Sequence, residues 1–230
     1  MPRERQFWLL TAAAVALLAI TMGSRSVFGL FLSPLNSATG LGIATISFAV
    51  AVSLLAWGVA QPFCGMLAER YGAARVIVAG SLLAALTGAA LPFADSPATL
   101  VAVLAVSGIA ATVGSPSLLV GTVSQRVAPE RRGLVAGIVG AGGPLGQLVL
   151  APATQAVISL AGWAAAAFSI AALALVSLPL AAAFRRAPAQ ARQQRGTAQG
   201  GATLREALAS PGYWLINAVF FVCGLHVFFL

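Results

Sequence analysis

Gly65-Met66-Leu67-Ala68-Glu69-Arg70-Tyr71-Gly72-Ala73-Ala74-Arg75 is a short charged string between two long apolar segments, 43–67 and 76–94. Each segment has about the 20 helical residues that are needed to cross a hydrocarbon core of roughly 30 Å. Arginines in a short turn between two spans are typical of the cytoplasmic side of a membrane. The string therefore predicts two membrane-spanning helices joined by a cytoplasmic turn.

The alternation of apolar segments and basic gaps continues along the whole chain. Apolar segments occupy residues 7–35, 43–67, 76–94, 98–123, 133–160 and 163–184, and an unfinished one begins at Tyr213. Arginines precede the first segment and lie in the second, fourth and sixth gaps, whereas the first, third and fifth gaps contain none. This positive-inside pattern predicts a cytoplasmic N-terminus, six complete spans and a seventh span that has begun.

The composition supports a membrane protein built from helices. Sixty per cent of the residues are hydrophobic, 8% are charged and the mean hydropathy is +0.95, which excludes an ordinary soluble domain. No segment alternates apolar and polar residues as transmembrane strands do. The prediction is an all-α polytopic membrane protein, with a six-helix N-terminal bundle (1–184), a basic cytoplasmic linker (185–210) and the start of a truncated seventh helix (211–230).

The net charge of +8 comes entirely from arginine. Because these arginines are dispersed over four cytoplasmic segments, they indicate contact with the anionic headgroups of the lipid bilayer rather than with nucleic acid. Cys64 and Cys223 both fall in apolar segments, which favours packing roles over a disulfide, and neither has the spacing of a metal site. We expect no metal and no cofactor.

Local sequence features predict where the helices end. Ser33-Pro34-Leu35-Asn36 is expected to end the first helix, because proline disfavours helix at the residue before it. Ala161-Gly162 is expected to join the fifth and sixth helices in a tight hairpin. Residues 187–202 are predicted to be a flexible linker, and 203–208 a short interfacial helix.

The string at residues 65–75 resembles the cytoplasmic loop signature of the major facilitator superfamily, G-x-L-A-D-R-x-G-R-R. Six helices before a long cytoplasmic linker extend the resemblance over the whole chain. Gly65 and Gly72 are expected to permit a tight turn, Glu69 to face a helix N-terminus, and Arg70 and Arg75 to pair with acids across a domain interface. The resemblance implies that this string latches the two halves of a transporter in one state. The string departs from the family signature at two places. Glu69 stands where aspartate is usual, and Ala73 and Ala74 stand at the basic positions, so that the next arginine, Arg75, comes later than in the signature.

The fifth apolar segment is rich in glycine. It contains Gly133, Gly137, Gly142, Gly143, Pro144 and Gly146. Gly133/Gly137 and Gly142/Gly146 are each four residues apart, so each pair offers a smooth face to a neighbouring helix. Pro144 is expected to kink or loosen the helix. Exporters of this family carry a related glycine–proline signature, but close packing explains the same residues.

Arg25 is the one arginine inside an apolar segment, where a charge costs several kcal/mol unless it faces water, a partner or a ligand. Helical spacing puts Thr21, Phe28 and Gly29 on its face. Arg25 either extends to the outer headgroups or binds an anionic substrate through a bidentate contact. Arg-x-x-Phe-Gly resembles the first helix of bacterial facilitators that are related to monocarboxylate and oxalate–formate carriers.

The resemblance implies a secondary transporter in the bacterial inner (plasma) membrane that moves a small molecule by alternating access. We expect the substrate to be an organic anion that is bound by Arg25, Thr21 and Gln147. The chain would need a missing C-terminal half of six helices, and would be inactive alone. Alternatives are a drug or metabolite exporter, a non-transporting receptor or subunit, and an intramembrane enzyme that would use Ser115 or Ser117 with His226.

Overall fold

The computed structural model describes residues 2–124, 127, 129–185 and 209–229. The helices are α1 Pro2–Ser26, α2 Phe28–Thr39, α3 Ile43–Tyr71, α4 Ala73–Ala90, α5 Pro97–Ala111, α6 Pro116–Ser124, α7 Arg132–Ala181 and α8 Pro211–Phe229. Short 3-10 turns lie at Leu91–Phe93, Thr112–Gly114, Pro129–Arg131 and Ala182–Phe184. No strand occurs in the described residues, and the all-α prediction is confirmed.

The chain divides into two units, Met1–Ala187 and Pro188–Leu230, and α8 is the described part of the second unit. The linker that we predicted at 187–202 and the interfacial helix at 203–208 lie outside the described residues. All further structural statements concern the first unit unless α8 is named.

Among the described residues, five helical stretches are long and apolar enough to cross a membrane: Phe7–Thr39, Ile43–Tyr71, Ala73–Phe93, Pro97–Ser124 and Pro129–Phe184. The last one has 56 residues, far more than the roughly 20 of one crossing. Gly162 divides it at φ 85° and ψ 168°, a backbone conformation that favours glycine. The predicted break at Ala161-Gly162 is therefore confirmed. We refer to the parts of α7 before and after Gly162 as its first and second arms.

The first span differs from the prediction at both its middle and its end. The helix is interrupted at Val27, between α1 and α2, and then continues through Pro34 to Thr39. The expected end at residues 33–36 is wrong. Backbone groups in an apolar phase need hydrogen-bond partners, so a helix tolerates an internal proline there. The end comes at Gly40, whose amide donates to the Asn36 carbonyl at 2.9 Å.

The turn in the charged string is shorter than expected. Helix α3 continues through Gly65 to Tyr71, and α4 begins at Ala73. Gly72 alone makes the turn, with φ 92° and ψ 140°. The expected turn role is therefore confirmed for Gly72 and wrong for Gly65, which is helical.

The fourth span contains a break that the sequence analysis did not predict. Pro116 has no amide hydrogen and disfavours helix at Ser115, which is extended at φ −68° and ψ 146°. A 3-10 turn at Thr112–Gly114 precedes the break, and the Ser115 amide donates to the Thr112 carbonyl at 3.1 Å. Proline suits the first position of the new helix, α6, because that position needs no amide donor.

The core of the first unit contains small residues where helices cross. On the first arm of α7, Gly142 and Gly146 are buried against α1: a Cβ on Gly142 would lie 2.7 Å from the Val15 carbonyl oxygen, and one on Gly146 would collide with the Ala19 carbonyl. Such crossings maximise van der Waals contact, which drives helix association in lipid. Large apolar side chains such as Leu55, Leu148 and Leu160 are exposed, as expected where the solvent is hydrocarbon.

Candidate functional site

A cavity of about 80 Å³ lies in the first unit, Met1–Ala187. Its walls come from α1, α2, α4, α5 and the second arm of α7. Arg25 is the charged residue among those that line it, and no acidic side chain is among them. Six hydroxyl-bearing residues also line it: Thr21, Ser24, Ser81, Thr87, Ser107 and Ser177. The cavity therefore combines one permanent cation with many hydrogen-bonding groups.

Arg25 differs from the other arginines whose side chains are described. Arg70, Arg75, Arg131, Arg132 and Arg185 are all exposed near helix ends, as topology determinants should be. Arg25 is partly buried within the span Phe7–Thr39. It also borders a second, smaller cavity of about 30 Å³ together with Phe28 and Ser53.

The guanidinium group of Arg25 stacks on a tryptophan of α3. Its Cζ atom lies 4.3 Å from the ring centroid of Trp57, which is within the range of a cation–π interaction. The indole Nε1 of Trp57 is buried and has no hydrogen-bond partner among the described residues. Sequence analysis missed Trp57, although a tryptophan in the middle of a span is unexpected because tryptophan is enriched at the membrane–water interface.

Thr21 is near Arg25, but its hydroxyl already has backbone partners. Its Oγ1 atom donates to the Leu17 carbonyl at 2.9 Å or to the Gly114 carbonyl at 3.0 Å. The second contact satisfies a carbonyl at the break between α5 and α6. Thr21 therefore has two roles: it can satisfy a backbone carbonyl at the α5–α6 break, and it lines the cavity.

Hydroxyl groups on α4 and on the second arm of α7 also line the cavity. Thr87 Oγ1 donates to the carbonyls of its own helix, Leu83 at 3.0 Å and Ala84 at 3.1 Å. Ser81 and Ser177 are buried, with only 4% and 2% of their surface exposed. The cavity thus has buried serines from two elements among its lining residues.

Gln147 does not join this group. It lies on the first arm of α7 with an exposed side chain, and it is not among the residues that line either cavity. Gly143 faces α1, where a Cβ would lie 3.6 Å from Met22. Gly133 and Gly137 have no described neighbour within 4 Å of a Cβ, so no described helix packs closely against the face on which their Cβ positions lie. The backbone of α7 stays helical at Pro144.

The charged string between α3 and α4 is on the surface of the unit. Glu69, Arg70 and Arg75 are exposed, and the Arg70 guanidinium lies 5.4 Å from the ring centroid of Tyr71. The serines of the enzyme alternative lie at the α5–α6 break, where Ser115 and Ser117 share a hydrogen bond of 3.1 Å. No described group of His, Cys, Asp and Glu residues could hold a metal ion.

Comparisons with known proteins agree on one family. The profile described as Major Facilitator Superfamily matches residues 14–230. The oxalate:formate antiporter of Oxalobacter formigenes is 24% identical over 93% of this chain and 51% of its own length. Monocarboxylate transporter 11 of Mus musculus is 32% identical over 77% of this chain and 40% of its own length. The alignments thus cover about half or less of the length of these relatives.

Proposed function

Because this chain belongs to the Major Facilitator Superfamily, a family of transporters and not of enzymes, we propose that it forms one helical bundle of a secondary transporter for small organic anions. The transporter would lie in a bacterial inner membrane with its N-terminus in the cytoplasm, and a second six-helix bundle would complete it. Transport would proceed by alternating access, in which two bundles rock about the substrate. The names of the two relatives, which refer to oxalate, formate and monocarboxylates, support a carboxylate substrate.

The observation that carries this proposal is Arg25 in its cavity. A charged side chain inside a span costs several kcal/mol unless it has water, a partner or a ligand. The residues that line the cavity include no acid that would neutralise it. A carboxylate supplies the missing negative charge, and guanidinium binds it through two parallel hydrogen bonds. Phe28 and Phe31 add apolar walls to the cavity.

Uptake of labelled formate, oxalate and lactate into proteoliposomes tests this role, using the transporter that is expressed from its complete gene. Arg25→Ala should nearly abolish uptake, and Arg25→Lys should weaken it by about tenfold or more, because lysine cannot reproduce the bidentate contact. Arg132→Ala removes an exposed arginine at the start of α7 and serves as the matched control, with uptake near wild type.

The competing role for Arg25 is extension to the outer headgroups, which gives a different pattern. Lysine also extends to headgroups, so Arg25→Lys would then transport normally, and alanine would lower the amount of inserted protein rather than the uptake per molecule. Full uptake by Arg25→Ala at equal insertion would remove Arg25 from the site and most of the case for an anionic substrate.

A further inference from the structure

We propose that the first unit bends within itself during transport, about a hinge at the α5–α6 break, and that the hydroxyl of Thr21 holds this hinge in the conformation seen here. The proposal rests on the proposed function in one respect, namely that the chain takes part in transport. It adds a moving element inside a single bundle and a residue that controls the movement.

Two large clusters of buried hydrophobic residues in the first unit are packed separately from each other. In the fourth span, Leu119 of α6 belongs to one cluster and Leu104 of α5 to the other. In the first span, Leu17 of α1 belongs to the former cluster and Phe31 of α2 to the latter. Because a close-packed cluster moves as a unit, a bend is easiest between the two clusters.

The larger cavity lies between these two clusters. On the first, third and fourth spans and on the second arm of α7, the residues that line the cavity come in the chain between residues of one cluster and residues of the other. In the fourth span, Ser107, Ala110 and Ala111 line the cavity, after Leu104 and before Leu119. Empty space at this level leaves less packing to resist a bend.

The backbone of the fourth span is weakly connected at the same level. Pro116 has no amide hydrogen to donate to the Thr112 carbonyl, which accepts instead from the Ser115 amide at 3.1 Å. The helical pattern resumes at Leu119, whose amide donates to the Ser115 carbonyl at 3.1 Å. A short 3-10 stretch inside a helix often marks a hinge. Few backbone hydrogen bonds therefore oppose movement of α6 relative to α5.

The hydroxyl of Thr21 joins this break to α1. Its Oγ1 atom lies 3.0 Å from the Gly114 carbonyl oxygen and 2.9 Å from that of Leu17, and its one proton is donated to one acceptor at a time. Gly114 is buried directly against Thr21, because a Cβ on Gly114 would collide with the Thr21 side chain. When Thr21 donates to Gly114, it fixes the break against α1.

The second acceptor of Thr21 makes the contact reversible. If α6 moves away from α1, the hydroxyl still has the Leu17 carbonyl of its own helix, a contact that threonine commonly makes in helices. Only the Gly114 carbonyl then loses its partner. The movement also changes the cavity, because Thr21, Val113 and Arg25 all line it.

The reactivity of Cys64 measures opening of the hinge. Cys64 packs with Val113 and Leu118, which lie on either side of the break, and Cys223→Ala leaves it as the single cysteine of the 230-residue chain. Alkylation by N-ethylmaleimide consumes the thiolate, so Cys64 reacts only when water reaches it. In nanodiscs, Thr21→Val should raise the alkylation rate about tenfold, because the closed state loses a hydrogen bond to a buried carbonyl. Thr21→Ser keeps the hydroxyl and should react as the wild type does.

Two further variants separate the hinge from a general loss of stability. Thr87 lines the same cavity, but its hydroxyl donates to carbonyls of its own helix, so Thr87→Val should leave the alkylation rate of Cys64 unchanged. Pro116→Ala supplies the amide that the Thr112 carbonyl lacks, so it should slow alkylation and suppress the effect of Thr21→Val in the double variant. A purely destabilising effect of Thr21→Val would persist in the presence of Pro116→Ala.

In the complete transporter, Pro116→Ala should lower kcat for formate uptake about tenfold and leave KM within about threefold of wild type, because a conformational step is slowed rather than binding. Pro97→Ala is the matched control, since Pro97 also begins a helix but lies outside the break, and its uptake should be near wild type.

Equal Cys64 alkylation rates in Thr21→Val and the wild type, or an effect that Pro116→Ala does not suppress, would overturn the hinge. If Pro116→Ala does not fold, the comparison of Thr21→Val with Thr21→Ser and Thr87→Val decides. Uptake that depends on Arg25, together with a Cys64 rate insensitive to Thr21, would refute the hinge and leave the proposed function standing. A Cys64 rate controlled by Thr21, without carboxylate uptake by the complete transporter, would support the hinge and refute the proposed function.

Discussion

At the residue scale, the environment of Arg25 is the feature that most needs a physical explanation. A desolvated cation–π contact contributes about 2 kcal/mol, which is less than the several kcal/mol that an intramembrane arginine costs. Stacking on Trp57 therefore orients the guanidinium without fully compensating its burial. The remaining deficit is what an anion in the cavity would offset.

Two substitutions of Trp57 test the role of its aromatic face apart from the role of its N–H group. Trp57→Phe keeps a face for Arg25 and removes the unpaired buried donor, so KM for formate should stay within about threefold of wild type. Trp57→Leu removes the face, and the lost contact should raise KM about tenfold or more with little change in kcat. Uptake kinetics in proteoliposomes measure both constants. Equal KM values for the two variants would show that the stacking does not position Arg25.

At the element scale, the backbones of α1 and the first arm of α7 approach each other closely where the two helices cross. A Cβ on Gly146 would collide with the Ala19 carbonyl, and one on Gly23 would lie 2.7 Å from the Gly146 oxygen. Neither atom belongs to a flexible side chain, so the helices themselves would have to separate. Tight packing of this kind is sensitive to a single methyl group.

Gly146→Ala should therefore destabilise the unit by about 1–3 kcal/mol, the usual cost of overpacking. Gly137→Ala is the matched control on the same helix, because nothing lies within 4 Å of its Cβ and alanine favours helix over glycine by about 1 kcal/mol. Thermal unfolding in detergent should give a lower Tm for Gly146→Ala and an equal or higher Tm for Gly137→Ala. The reverse order would contradict the crossing.

At the scale of the whole molecule, the placement of charge relative to the spans predicts the topology. Asp95 follows α4 in a turn without arginine, whereas Glu130 lies beside Arg131 and Arg132. The positive-inside rule puts the first turn outside the cell and the second in the cytoplasm.

Cysteine labelling with an impermeant thiol reagent measures this topology. In a background with Cys64→Ala and Cys223→Ala, intact cells should label Asp95→Cys at once and Glu130→Cys only after permeabilisation. Residue 95 lies in the turn between Phe93 and Ser96. The labelling of a cysteine there should therefore depend on which side of the membrane the turn faces, and not on burial of the side chain. Labelling of residue 95 only after permeabilisation would invert the orientation.

Much of the fold follows from local sequence, because a bilayer imposes a simple rule on each segment. Every span must be apolar, and its backbone must pair within its own helix. Hydropathy and arginine spacing therefore predicted the spans, and local backbone chemistry predicted the breaks at Gly72 and Gly162. The same rule identified Arg25 as an exception that requires a partner.

The break between α5 and α6 had a local signal, since Ser115 precedes Pro116, but its stabilisation depends on tertiary structure. The Gly114 carbonyl is satisfied by Thr21, a residue 93 positions away. Sequence alone could not distinguish a substrate hydroxyl from one that serves the backbone, because both functions use the same side chain.

The sequence by itself therefore determined the class of fold, the spans and the presence of a charged residue, Arg25, inside an apolar span. These properties depend on the composition of single segments in an apolar solvent. Only the tertiary structure decided that Trp57 stacks on Arg25, that Ser81 and Ser177 line the same cavity as Arg25, and that Gln147 lies outside it. These properties depend on which faces of different helices meet, and helix packing in lipid is governed by shape and van der Waals contact rather than by hydropathy.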